Sequence, residues 1–325
     1  MLRTAVIGVG HLGKQHARIH AALALEGRSQ FAGVCDIDEA RANEIAREYS
    51  VTAQIDWHAL VDKVDAVSLA VPTESHAEIA CALLESGIHV LVEKPMARTL
   101  DEADAMIKSA NASGAILQVG HGERFNPAMI ALRPHVRNPV YFEIHRVGQF
   151  TARSLDIDVV LDLMIHDLDI VQWLVGAEVE ATNVHAVGIP ILTNRVDAAN
   201  ARIEFATGAV ANITASRVGT ERIRKMRFFQ PRDYVVLDYA TNYASISNLA
   251  TSSNTPWPGV RTQVLEVTDV EPLRAEIESF FEAAINRTQP VVSGADGRRA
   301  LSLALRTLEQ IQAHTVRIGA ALPRQ

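Results

Sequence analysis

Arg3-Thr4-Ala5-Val6-Ile7-Gly8-Val9-Gly10-His11-Leu12-Gly13 is the stretch from which the fold is read. Arg3–Gly8 is short, apolar and free of clear polar alternation, the pattern of a parallel strand covered on both faces. The three glycines then open a helix near residues 12–26. Glycine at this spacing permits a tight turn, close approach of the backbone to a pyrophosphate, and helix–strand packing. Free N–H groups and the helix dipole favour the anion. The spacing alone is a weak signal, and a generic glycine turn is the competing reading. Its place after strand one, inside a βαβ unit, turns it into a dinucleotide site at Gly8, Gly10, His11, Leu12 and Gly13.

Further strand-like runs follow at Phe31–Asp36, Ala66–Val71, His89–Glu93 and Ala115–Gly120, with helical segments near 38–49, 74–86 and 100–112. Gly87 and Gly114 stop the last two helices. Repeated βα units predict a parallel sheet with right-handed crossovers over residues 1–120, a nucleotide-binding domain. The texture then changes. Residues 139–149, 179–188, 199–206, 209–217, 225–230 and 233–239 read as strands, with Thr207-Gly208 as a hairpin turn. Residues 121–325 are therefore expected to form a second α/β domain with an open, mainly antiparallel sheet covered by a 158–175 helix. Helices near 271–286 and 296–316 follow, and 249–259 reads as an irregular loop.

Bulk properties limit the function classes. A chain of 325 residues suits two domains, and 48% hydrophobic residues support a globular fold. Net charge is −7 with dispersed basic residues, which argues against a nucleic-acid surface. Cys35 and Cys81 are the only cysteines and imply no disulfide framework. A strand starting by residue 4 leaves no room for a signal peptide, and no apolar run reaches spanning length, so a cytoplasmic protein is expected.

Candidate chemistry lies at strand ends and on one helix. Asp36 ends the second strand, where a carboxylate accepts from ribose hydroxyls and repels a 2′-phosphate. That favours NAD over NADP, although Arg41 one turn on would partly relieve the repulsion. Val71-Pro72-Thr73 and Glu93-Lys94-Pro95 close two parallel strands, where ligands bind in open α/β sheets. Lys94 can donate to a substrate oxygen, or be an ordinary solvated lysine. His76 faces the cofactor or caps its helix. In Asp158–Trp173 the side chains of Asp158, Asp162, His166, Asp169 and Trp173 share one stripe of an otherwise mostly apolar helix. The stripe reads as the wall of a polar pocket, or as a capped helix start with one core histidine. Asp162 and His166 would share a divalent ion, but no third ligand stands at a helpful spacing, so no metal is expected.

Together, Gly-x-Gly-x-x-Gly at 8–13, Glu-Lys-Pro at 93–95 and Asp-x-x-x-His at 162–166 resemble the glucose–fructose oxidoreductase/inositol dehydrogenase (Gfo/Idh/MocA) family over nearly the whole chain. The resemblance implies a Rossmann domain and an open-sheet α/β domain, with Lys94, Asp162 and His166 meeting substrate opposite the nicotinamide. It also implies a Lys94–Pro95 bond that is often cis and a last helix packed back towards the nucleotide domain. Residues 120–127, 162–169 and Thr214-Ala215-Ser216-Arg217 further resemble the branch that oxidises the 3-hydroxyl of UDP-N-acetylglucosamine ahead of an aminotransferase, in supply of a lipid A diamino sugar.

Arg217, Arg222, Arg224, Lys225 and Arg227 cluster in an acidic chain. Arginine forks match phosphate oxygens, so the cluster suits a phosphorylated substrate, or guards a strand edge. Arg124 and Asn126 are further substrate candidates with Arg217 and Arg222. The expected enzyme is a sugar or nucleotide-sugar dehydrogenase in which His166 takes the hydroxyl proton and Lys94 stabilises the alkoxide. Rival readings are a dehydrogenase of free sugars or inositols, a cofactor-recycling glycosidase, and a non-catalytic nucleotide sensor. An apolar open sheet needs cover, which predicts a homodimer or homotetramer.

Overall fold

The computed structural model describes residues 1–149, 157–250 and 259–321. It divides into two compact units, Met1–Gly122 with Glu271–Arg298, and Glu123–Val270 with the chain from Arg299 onward.

The first unit is a six-stranded sheet in the order β3-β2-β1-β4-β5-β6, every neighbouring pair parallel. The strands are β1 (Arg3–Ile7), β2 (Gln30–Cys35), β3 (Thr52–Gln54), β4 (Ala66–Leu69), β5 (His89–Glu93) and β6 (Leu117–Gly120). Helices α1 (His11–Leu25), α2 (Glu39–Tyr49), α3 (His76–Glu85) and α4 (Leu100–Ser113) alternate with them. β4 and β5 are buried at every position, as expected of central strands covered on both faces. The chain order reverses between β1 and β4, so their carboxyl ends open a crevice. β3 was not anticipated. It is a three-residue edge strand of half-exposed side chains, too short and too polar to leave a periodic signal.

Helix α7 (Pro272–Asn286) belongs to this unit as well. Its Ile277, Phe280 and Phe281 pack with Ile19, Leu23, Ala66 and Leu91. A division at residue 120 alone therefore does not describe the unit. Three apolar side chains on one helical face need a partner surface, and sequence periodicity does not say which surface that is. Helix α8 (Gly294–Ala321) starts in this unit, and from Arg299 its residues belong to the second, where Ala300, Leu303, Ala304 and Ile311 enter the core.

The second unit carries an eight-stranded sheet, β14-β13-β12-β11-β7-β10-β9-β8, antiparallel except for the β7–β10 pair. The strands are β7 (Tyr141–Val147), β8 (Ala181–Ile189), β9 (Ala198–Phe205), β10 (Val210–Ser216), β11 (Ile223–Gln230), β12 (Asp233–Asp238), β13 (Tyr243–Ala250) and β14 (Gly259–Val264). Gly208 turns the β9–β10 hairpin with φ +85. Phe142, Ile144, Ile213, Met226 and Phe228 face one side of the sheet and pack with Val160, Met164, Ile165 and Leu168. Those last four belong to a helical segment formed by a π-helical turn, Val160–Met164, running into α6 (Ile165–Val175). α5 (Pro127–Leu132) adds Ala128, Met129 and Leu132 to the same core.

Two expectations need correction. Most of the expected 249–259 loop, 251–258, lies outside the described residues, while its flanks end β13 and begin β14. β14 is exposed at every position, so its sequence carries no apolar alternation to detect. The 158–175 helix is also not uniformly α-helical, because its first turn winds with the wider π spacing. Asp162 lies within that turn, a geometry that recurs at functional sites.

Candidate functional site

In the first unit β1 runs into Gly8, which adopts φ +82. A Cβ there would lie 2.6 Å from the Ala70 carbonyl oxygen, and one on Gly13 would lie 1.7 Å from that of Gly8. Gly10, the residue before α1, has open space around its Cα instead. Two glycines thus let the chain fold on itself, and the third leaves the helix start accessible to an anion. His11 and Leu12, exposed, form the first turn of α1. A cavity of about 490 Å³ at this end is lined by Gly8, Gly10, Asp36, Arg41, Pro72 and Ser75 among others. Asp36 accepts from the backbone amides of Val9 (2.8 Å) and Asp38 (2.9 Å). Arg41 lies against Asp36 (3.3 Å) and Asp38 (3.2 Å). The cavity, the open glycine and a rigid carboxylate on its wall fit a dinucleotide.

Two residues expected to face the cofactor are committed within the protein. His76 is 1% exposed, and its ring nitrogens lie 2.9 Å from the Val71 carbonyl oxygen and 3.1 Å from that of Pro95. It ties the turn after β4, with half-buried Thr73, to the turn after β5. Glu93 is buried and accepts from His16 (3.0 Å) and from the Lys94 amide (3.2 Å). Burial acts to raise its carboxyl, and the His16 contact and nearby charges hold it below the usual range. Glu276, buried close by, is pushed well above that range by burial and by the charge of Glu93. Lys94, next in the chain after Glu93, is half-buried and joined to Pro95 by a cis peptide.

In the second unit the polar stripe divides in two. Asp162 and His166 are half-buried, and Asp162 lines a cavity of about 370 Å³. The other members hold structure. Asp158 accepts from the Val196 amide (2.8 Å). Asp169 is gripped by two bonds from Arg124 (2.8 and 2.6 Å), and Arg124 and Arg133 both stack on Trp173. Arg124 is therefore a buried strut, 4% exposed, and no longer a natural substrate ligand. Asn126 caps α5 by accepting from Ala128 and Met129, and donates to the Tyr239 carbonyl oxygen.

Arg146, not singled out in the sequence, is a second buried strut. It donates twice to Asp167 (2.7 and 2.9 Å) and once to Glu123 (2.6 Å). Burial lowers its guanidinium, and the two carboxylates raise it well above normal. Burial also raises the Asp167 carboxyl, with Arg146 opposing. Arg146, Arg217, Arg222 and Arg224 line the same cavity as Asp162. Arg217 donates to the Ile157 carbonyl oxygen and lies 3.6 Å from Asp197. Asp197 accepts backbone amides from Ile191, Leu192 and Thr193. Burial raises this carboxyl, and the three donors outweigh burial and bring it to about 2. Nothing local in the sequence marks Arg146, because Asp167 and Glu123 lie 21 and 23 positions away. Among the described residues no cluster of three His, Cys, Asp or Glu side chains suits a metal ion.

Residues 2–121 match the oxidoreductase family with an NAD-binding Rossmann fold, and residues 130–229 match the GFO/IDH/MocA C-terminal domain. The chain belongs to the GFO/IDH/MocA oxidoreductase family. It is similar to the UDP-N-acetylglucosamine 3-dehydrogenase of Acidithiobacillus ferrooxidans, 40% identical over 313 residues that cover 96% of this chain and 98% of the relative. A solved structure of that enzyme superposes with a TM-score of 0.89 at 39% identity, covering 96% and 98% of the two chains. The myo-inositol 2-dehydrogenase of Thermotoga maritima is 28% identical over 325 residues, 93% of this chain and 94% of its own. A levoglucosan dehydrogenase structure shares the fold, with a TM-score of 0.85 at 21% identity and 96% and 97% coverage. This family member is thus an NAD-dependent dehydrogenase with a parallel-sheet Rossmann unit and a mainly antiparallel second unit.

Proposed function

We propose that this protein oxidises the 3-hydroxyl of UDP-N-acetylglucosamine with NAD. The observation that carries the reading is the 40% identity along 96% of the chain to an enzyme of that name. The cavity of the second unit agrees with it, since an acidic residue of the Asp-x-x-x-His motif and four arginines line one space. Such a space suits a ligand with both hydroxyl and phosphate groups.

Bound NAD supplies the hydride acceptor. His166 takes the proton of the reacting hydroxyl, a general-base task to which imidazole side chains are suited. Lys94 donates to the same oxygen and stabilises its alkoxide character. Asp162 orients the sugar or His166. Gly8, Gly10, His11, Leu12 and Gly13 hold the pyrophosphate, and Asp36 the ribose. Pro72 and Thr73 border the dinucleotide, with His76 and Glu93 supporting them from behind. Arg217 and Arg222 contact the substrate, while Arg124 and Asn126 support the walls. The 3-keto product is a carbonyl compound suited to an aminotransferase, which we infer as the next enzyme. A cytoplasmic homo-oligomer is the matching assembly, and no helix among the described residues is long and apolar enough to cross a membrane.

The test is NADH formation from UDP-N-acetylglucosamine and NAD, with an aminotransferase and amino donor to withdraw the ketone. NADH that depends on Lys94 and His166 supports the reading. Turnover of inositols or free sugars in its place keeps the family and rejects the substrate.

A further inference from the structure

The cavity beside Asp162 contains an arrangement that folding alone does not explain. Arg146 on β7 and Arg224 on β11 are direct cross-strand partners. Both line the same cavity. Like charges directly opposite one another in a sheet are destabilising. Arg146 is neutralised by Asp167 and Glu123, both within 2.9 Å. Arg224 forms no ion pair with any described carboxylate, although it is half-buried. Burial lowers its guanidinium, and the charge of Arg146 lowers it further. Glu123 and Asp167 act on it in the opposite sense, but both are bound to or paired with Arg146, and among the described residues no carboxylate pairs with Arg224.

Arg222 supplies a second fork to the same space. It too is without an ion pair to a described carboxylate, and it is exposed. The turn that carries it is tightly fixed. Gly219 donates to the Gly148 carbonyl oxygen (2.9 Å), and a Cβ on Gly219 would lie 2.1 Å from Val147. Two neighbouring cations, unlike these, have a carboxylate beside them. Lys225 pairs with Asp238 at 3.3 Å, and Arg217 lies against Asp197.

We propose that Arg222 and Arg224 form a diphosphate subsite, and that Arg224 makes the enzyme select a nucleotide sugar over a free sugar. This rests on the nucleotide-sugar reading above and deepens it. Two planar guanidinium forks can each chelate one phosphoryl group. A cavity of about 370 Å³ lies within the usual range for small-molecule sites, about 300–1,000 Å³. With Asp162 on its wall, the same cavity holds the sugar ring at one side and the diphosphate at the other.

The experiment uses the NAD-loaded full chain. UDP and uridine binding would be measured by calorimetry, and KM and kcat with UDP-N-acetylglucosamine and with N-acetylglucosamine. UDP should bind wild type well and uridine poorly. Arg224→Gln and Arg222→Gln should each weaken UDP and raise KM by about 10–100-fold, the value of a charge-assisted hydrogen bond, with kcat changed much less. Arg224→Lys should recover part of the loss. Arg227→Gln should leave both values unchanged. Arg222 is exposed, so its variant reports even if the Arg224 variant does not fold. UDP affinity and KM within twofold of wild type in both folded glutamine variants would overturn the subsite while leaving the substrate reading intact. A wild-type enzyme that ignores UDP and prefers the free sugar would remove the substrate reading, and the subsite with it.

Discussion

The two units prepare for ligands by opposite means. The first uses backbone, with three glycines within six residues and one carboxylate that is itself held by two amides. The second uses side chains drawn from a π-helical turn, β7, and the segment from Arg217 to Arg224. Backbone sites are contiguous in sequence and tolerate little substitution. Side-chain sites are scattered, and there the same residue type can serve structure or ligand. Arginine shows this most clearly, since Arg124 and Arg146 are buried against aspartates while Arg222 and Arg224 pair with no carboxylate among the described residues.

The largest expected effect is on turnover. His166→Ala and Lys94→Ala should each lower kcat by about 10²–10⁴-fold. Affinity for NADH, followed by nucleotide fluorescence, should stay within about twofold for His166→Ala, because that residue belongs to the unit without the dinucleotide cavity. Near-normal turnover in the His166 variant would sink its role as the base.

That division also explains what the sequence disclosed. The glycine spacing and the apolar strands of the first unit were legible because local backbone constraints write themselves into consecutive residues. β10, with strict burial alternation, was legible for the same reason. The fate of Arg124 was not, because Asp169 lies 45 positions away and only the packed fold joins them. The stripe from Asp158 to Trp173 put its polar residues together in the sequence, but Asp158, Asp169 and Trp173 are held by other protein groups. β14 and β3 stayed hidden because exposed or very short edges need no apolar pattern.

Next in size comes stability. Arg124→Met should cost about 3–5 kcal/mol in urea unfolding, because it leaves the Asp169 carboxylate buried without its partner. Arg124→Met with Asp169→Leu should recover most of that loss. Arg224→Gln should cost almost nothing, since it relieves repulsion from Arg146. Equal losses for Arg124 and Arg224 would erase the distinction between structural and ligand-facing arginines.

The glycines offer a smaller contrast. Gly13→Ala forces backbone apart and should destabilise by about 1–3 kcal/mol. Gly10→Ala meets no atom within 4 Å, so its stability should stay within about 0.5 kcal/mol of wild type. NAD affinity should nevertheless fall, because a methyl group would occupy the approach to the pyrophosphate. If Gly10→Ala bound NAD normally, the open space beside that residue would not be the phosphate approach.

At neutral pH the effect that shows least concerns acid. His20 is fully buried in the first unit, between Thr4 (3.0 Å) and Ser68 (2.9 Å) and edge-on to Phe281. Burial, with the nearby His16 charge, lowers its pKa to about 3. The unfolded chain takes up that proton near pH ~6.5. Above that pH both states are neutral at this residue, and its contribution is complete. As pH falls towards about 3, stability drops by up to ~1.4 kcal/mol per unit. Asp197 in the second unit, held at about 2, begins to lose its contribution only below pH ~4. Between these limits, acid should weaken the first unit before the second. Glu276 acts in the opposite sense, its raised carboxyl favouring the fold at lower pH. The informative quantity is therefore a difference. His20→Gln, which keeps two polar contacts without the titration, should flatten the fall in urea midpoint between pH 6.5 and 4.5 relative to wild type. Parallel profiles would mean that the acid response of the first unit originates elsewhere, with His89 (lowered to about 4, chiefly by burial) the next residue to replace.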